Sequence, residues 1–302
     1  MTAANIGTPG AIAGRGILGL LRERPTRPTA LGVGLCLPFF AMMGVLVAYP
    51  IVKLILTLTQ SPGLSANVAS FFSVRLNVTS LGVTLLDSLV VTAVVLVFGS
   101  IIAWSMVTTR RPAVRLVLVS AVTVPLLMNS IVKVFAFTVL LQRYGVVNTI
   151  LLRLHIVQSP LSLLYNQFAA IIGMVYYMLP WAVLPLYVAF LSLDLDLPAA
   201  AASLGASRIR ALRDTCLPLA LPGIFATAVI DYAICLGFFV VPLFLGGTST
   251  PFTANLIWSD ISTFYNFSGA AASSTALLIA ATVVVIAGYL GVGRERLVRA
   301  VA

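Results

Sequence analysis

Two ionisable residues lie inside long apolar runs, Lys133 in VPLLMNSIVKVFAFTVLL (124–141) and Asp231 in IFATAVIDYAICL (224–236). An ammonium or carboxylate held in apolar surroundings is costly unless a partner or a polar space receives it, so both are candidates for a functional role. Two readings fit. Lys133 and Asp231 form a structural or snorkelling pair, or Asp231 faces a polar space and attracts a cation. Aromatic residues recur nearby in the sequence, Tyr176, Tyr177 and Trp181 in one run and Phe238 and Phe239 in another. They form either ordinary interhelical contacts or an aromatic constriction, and periodicity does not say which face points inward. Asp87, at the start of another apolar run, is expected at an interface with water. Covalent chemistry has little to draw on. The single histidine, His155, stands outside the apolar runs, no H-E-x-x-H occurs, and no G-x-x-x-x-G-K-[ST] loop is present to cradle a nucleotide. Cys36, Cys216 and Cys235 are too few and too scattered for a disulfide framework or a metal knuckle.

The elements that hold these residues follow from composition. The 302 residues are 60% hydrophobic and 9% charged, with a mean hydropathy of +1.10, more apolar surface than one water-soluble core of this length encloses. Lipid must therefore solvate much of the chain. Six runs reach the ~20 apolar residues that a bilayer crossing needs: Leu31 to Thr57, Leu81 to Val107, Leu116 to Leu141, Phe168 to Leu191, Leu221 to Leu245 and Ala270 to Gly291. Prolines 38, 50, 125, 180, 185 and 242 fall in or near them, which predicts a packed bundle able to satisfy carbonyls freed at kinks. The net charge of +10 is not a nucleic-acid face, because the basic residues sit in small groups between the runs. Arg15, Arg22, Arg24 and Arg27 precede the first run, Arg110, Arg111 and Arg115 follow the second, Arg208, Arg210 and Arg213 follow the fourth, and Arg294, Arg296 and Arg299 end the chain. The alternate connections hold only Arg75, Arg143 and Arg153, so both termini are expected in the cytoplasm. Residues 1–30 read as a cytoplasmic leader, either a short interfacial helix over Ala11 to Arg24 or a basic tail. Residues 31–293 read as the transmembrane domain and 294–302 as a cytoplasmic tail.

One cytoplasmic connection differs from the rest. From Leu193 to Ile224 it reads LDLDLPAAAASLGASRIRALRDTCLPLALPGI. Pro198 and the alanines that follow favour a short helix, Gly205 permits a turn, and Ser207 can cap a second helix carrying Arg208, Arg210 and Arg213. This helix-turn-helix resembles the Glu-Ala-Ala, three residues, Gly motif of permeases of binding-protein-dependent ABC importers. Ala200, Ala201 and Gly205 match it, whereas Ala199 stands where that family usually has Glu. LPLALPGI (217–224) is also similar to the family pattern.

The resemblance is nearest to the spermidine/putrescine-type branch, through the stretch around Lys133, YGVVNTILLRL (144–154), IIGMVYYMLPWAVLPLYVAF (171–190) and FVVPLFLGG (239–247). It implies an all-α type I importer permease of six helices in a bacterial inner membrane. It further implies that the loop 193–220 docks on an ATP-binding subunit through Ala199, Ala200, Ala201, Gly205, Ala206, Ser207, Arg208 and Arg213. The expected partners are two such subunits, which hold ATP and Mg, a second permease that is a paralogue, and an extracytoplasmic solute-binding protein. No cofactor is expected on this chain. The residues taken for the solute route are Lys133, Asp231, Tyr177, Trp181 and Phe238. A polyamine is the favoured solute, with an amino-acid-like compound, phosphonate, sulfate or ferric iron as alternatives in the same branch. An intramembrane enzyme lacks a catalytic set, and an ion-driven transporter would show interrupted helices paired in repeated halves, which the sequence does not display.

Overall fold

A computed structural model describes residues 30–59, 63–193, 212–247 and 251–292, together with Ser203, Gly205, Ser207 and Arg210. The described residues are helical, without strands. The helices are α1 (Ala30–Thr59), α2 (Leu64–Ser73), α3 (Arg75–Thr108), α4 (Pro112–Leu127), α5 (Ser130–Leu141), α6 (Val146–Arg153), α7 (Gln167–Leu191), α8 (Leu217–Leu236), α9 (Thr253–Ser262) and α10 (Phe267–Val292). Six stretches are long and apolar enough to cross a bilayer: Leu37–Thr59, Arg75–Thr108, Ser130–Arg153, Gln167–Leu191, Asp214–Leu236 and Phe267–Gly288. The leader 1–29 and the tail 294–302 lie outside the described residues.

The chain divides between Leu56 and Thr57 into two compact units. The first holds α1 as far as Leu56, a helix apolar along its length that contains Pro38 and Pro50. In the second, α3 and α7 are the central pair, and α8 lies against both. Val91, Val95 and Ala103 of α3 and Met174, Met178, Ala182, Val183 and Leu186 of α7 are fully buried. Close approach uses small residues, as it must where lipid removes the hydrophobic drive between helices. A Cβ on Gly173 would run into the side-chain tips of Leu245 and Val241, so glycine lets α7 meet the segment after α8 without those side chains having to shift. Large apolar groups on the outward faces, among them Leu86, Val97, Phe98 and Val188, remain exposed, the surface that lipid covers.

Two of the expected continuous crossings are broken. The run Leu116 to Leu141 is divided between α4 and α5 at Met128 (φ −71, ψ 140) and Asn129 (φ −60, ψ 139), both extended. Asn129 Oδ1 accepts from Ile131 N at 2.9 Å, so an N-cap inside the apolar run competes successfully with helix continuation, four residues after Pro125 has removed a donor. With 16 and 12 residues, α4 and α5 span only about 24 and 18 Å, and neither alone crosses a core of ~30 Å. The run Leu221 to Leu245 likewise stops at Gly237, and the chain resumes helical form at Val240, passing into a π-helical turn over Pro242–Gly246. Asn255 of α9 supports this second break. With its amide nitrogen turned to Phe239 O (3.1 Å) and its oxygen to Leu243 N (3.2 Å), both polar ends are satisfied.

A candidate passage cavity at two helix breaks

Both breaks open on the same space. A cavity of about 430 Å³ is lined by Ser130 at the start of α5, Tyr177, Met178 and Trp181 of α7, and Phe238 and Phe239 after α8. Its volume falls in the ~300–1,000 Å³ range of small-molecule sites. Non-helical backbone is tolerated at membrane depth where it borders such a space rather than lipid. Three of the five residues expected on the solute route, Tyr177, Trp181 and Phe238, therefore share one wall. Phe238 meets Tyr177 edge to face, with ring centroids 5.0 Å apart and planes at 80°. Ser130 Oγ and Tyr177 Oη are 2.6 Å apart, a hydrogen bond between hydroxyls that fixes the tilt of the ring. Tyr176 meets Phe137 instead, with centroids 4.9 Å apart and planes tilted at 50°, and Phe239 meets Trp258 at 5.5 Å and 54°.

Lys133 belongs to a neighbouring, much smaller recess with Val134, Phe137, Gly173 and Tyr176, closed off by Tyr177 and Val241, which line both spaces. Its Nζ lies 4.1 Å from the centroid of the Tyr177 ring, a cation–π contact, and the residue is 5% exposed. Asp231 is not near enough to pair with it. Asp231 is 1% exposed, its Oδ2 has no hydrogen-bond partner, and no ion pair joins it to Lys133 among the described residues. The paired reading of the two charges is thus corrected. They sit on helices, α5 and α8, that are each occupied with other neighbours, α8 above all with α3 and α7. Asp87 is corrected too: it is 3% exposed, not interfacial, and Gln167 Nε2 donates to its Oδ1 at 2.6 Å, joining α3 to the first turn of α7.

In the cytoplasmic connection, Gly205 has φ +90 and is exposed, and Arg210 N donates to Ser207 Oγ at 3.4 Å, a long contact with the geometry of an N-cap. Ala199, Ala200, Ala201, Ala206 and Arg208 lie outside the described residues, as does the side chain of Arg213. The segment re-enters the bundle through a π-helical turn, Leu212–Cys216, directly joined to α8. Besides the apolar Met178, Ile234, Val240 and Val241, the lining positions that residue type alone did not single out are Ser130 and Gly237. A serine following asparagine, and a glycine between ICL and FF, are polar and flexible interruptions of apolar runs, and interruption was the available signal.

A bundle clothed in lipid-facing side chains around an aromatic cavity at two unwound points defines a multi-pass membrane protein of the solute-transport class. Comparison narrows this. Residues 95–294 match the family described as binding-protein-dependent transport system inner membrane component, and the chain belongs to that family. The spermidine/putrescine transport system permease protein PotB of Haemophilus influenzae is 32% identical over 179 residues, covering 59% of this chain and 63% of that protein's length. PotB of Escherichia coli is 31% identical over 192 residues, covering 64% of this chain and 70% of that protein. In the crystal structure of a bacterial alginate ABC transporter bound to a periplasmic protein carrying an alginate pentasaccharide, one chain superposes with a TM-score of 0.77 at 18% identity, covering 88% of this chain and 95% of that one. The fold is therefore that of a type I importer permease, and the chain is a multi-pass component of a bacterial inner membrane.

Proposed function

We infer that this chain forms half of the route by which an ATP-driven importer carries a polyamine such as spermidine or putrescine across the inner membrane. The carrying observation is the aromatic wall of Tyr177, Trp181, Phe238 and Phe239 around a cavity of about 430 Å³. Aromatic faces attract alkylammonium groups, and the same rings accept the methylene spacers of a polyamine by apolar contact. The relatives named for spermidine and putrescine support the same solute. A binding protein delivers the solute on the exported side, a second permease supplies the other half of the route, and two ATP-binding subunits hold ATP and Mg. The distribution of arginines supports cytoplasmic termini and a cytoplasmic 193–220 loop, which docks on an ATP-binding subunit.

A second reading has one observation in its favour. Lys133 is a buried cation without an anionic partner among the described residues, beside the cavity, which suits an anion such as sulfate or a phosphonate. Uptake of radiolabelled spermidine, putrescine and sulfate, measured in cells carrying the complete importer with and without this chain, separates the two. Polyamine uptake that depends on the chain is expected. Dependence of sulfate uptake alone would overturn the polyamine reading.

A further inference from the structure

A cationic solute and an uncompensated Lys133 beside its route are in conflict, and the geometry of Tyr177 resolves it. Tyr177 lines both the cavity and the recess that holds Lys133, whereas Lys133 does not line the cavity. The ammonium lies 4.1 Å from the ring centroid on the recess side. The ring is pinned by two contacts made on the cavity side, the 2.6 Å hydroxyl contact with Ser130 and the edge-to-face contact with Phe238 at 5.0 Å. Val241, 2% exposed, completes the partition. Among the described residues Lys133 makes neither an ion pair nor a side-chain hydrogen bond, so the π face of Tyr177 is the group that meets its charge.

We propose that Tyr177 is a screen between Lys133 and the cavity: its ring holds the ammonium in the recess, so that the wall an alkylammonium solute touches is aromatic and the fixed cation is kept behind the ring, out of contact with the solute. The inference rests on the polyamine reading for the nature of the solute, but the screen itself is a property of the chain. It makes Tyr177 a specificity-determining residue through Lys133 and not only through contact with the solute. Removal of the ring uncovers a like charge at the wall, which repels the solute in a low-dielectric space where charges are weakly screened.

Two measurements on the complete importer test this. In the first, Lys133→Cys is made in a background without Cys36, Cys216 and Cys235, and its labelling by a small water-soluble methanethiosulfonate is timed in membranes. Labelling is expected to be slow with Tyr177 present and several-fold faster with Tyr177→Ala; equal rates would overturn the screen. In the second, polyamine uptake is compared for Tyr177→Ala, Lys133→Gln and the double variant at matched membrane levels. Tyr177→Ala is expected to lower uptake about tenfold, the low end of the ~10–10³ effect of charge-lined clefts on a charged solute. The double variant is expected to recover most of that loss, because the exposed charge is gone. A double variant as poor as Tyr177→Ala would overturn the proposal and leave Tyr177 as a direct contact for the solute. If the native importer takes up no polyamine, the solute reading fails, and the labelling comparison still decides whether the ring covers Lys133.

Discussion

Asp231 and Lys133 look alike in the sequence, each a lone charge in an apolar run, but the bundle gives them different surroundings. Lys133 lies against the aromatic face that borders the cavity, whereas Asp231 is buried in α8 and is not among the residues lining that cavity. A carboxyl oxygen without a hydrogen-bond partner, Oδ2, is costly to bury there. Asp231→Asn keeps the shape and removes the charge. Its stability is expected to stay within about 1 kcal/mol of the native chain, and polyamine uptake is expected to be retained. Thermal unfolding in detergent and uptake at matched levels check this, and a severe loss of uptake from a stable variant would return Asp231 to the solute route. Of the five residues placed on the route from the sequence, type was sufficient to nominate all of them. Only their side-chain directions separate the wall-forming Tyr177, Trp181 and Phe238 from the screened Lys133 and the buried Asp231.

At the scale of elements, the informative features are the places where helices stop. Asn129 and Gly237 end apolar runs that composition alone would continue, and the two ends meet at one cavity. Apolar character is summed over a window and so reports the length of a crossing, but a single cap or glycine within it leaves the sum almost unchanged. The connection between α5 and α7 shows the same local control. Asn148, fully buried, donates through Nδ2 to Leu161 O at 2.9 Å and to Gln142 O at 3.2 Å, and its Oδ1 accepts from Leu161 N at 2.9 Å. One side chain thus ties three backbone groups across the loop. Asn148→Ala leaves these buried groups without it and is expected to cost about 1–3 kcal/mol locally. Hydrogen exchange should rise over 142–163 and remain low in α3 and α7; unchanged protection in the loop would show that the backbone holds itself. Thr84 of α3 performs a comparable task for α9, accepting from Thr253 N at 2.9 Å.

For the whole molecule, the proposed function requires that closure of an ATP-binding subunit reach the cavity through the 193–220 loop. Gly205 has φ +90, and a Cβ there would meet nothing within 4 Å. The demand for glycine is therefore conformational and not steric. Gly205→Ala, not only a bulky replacement, is expected to cost about 1–2 kcal/mol of local strain and to reduce uptake while ATP hydrolysis by the complete importer persists. Gly205→Asn, which tolerates the left-handed region better, should be milder. Equal and normal uptake per ATP in both variants would remove Gly205 from the coupling path. By itself the sequence determined a helical membrane protein, its approximate crossings, its charge asymmetry and its kinship, because each of these depends on the chemistry of contiguous residues and on sums over long windows. The tertiary structure alone decided where those crossings break, which aromatic residues share a wall, that Asp87 and Asp231 turn inward unpaired with Lys133, and that Tyr177 stands between Lys133 and the cavity. Those outcomes depend on the rotation of each helix against its neighbours, and in a bundle that is apolar on nearly every face no periodicity in the sequence records that rotation.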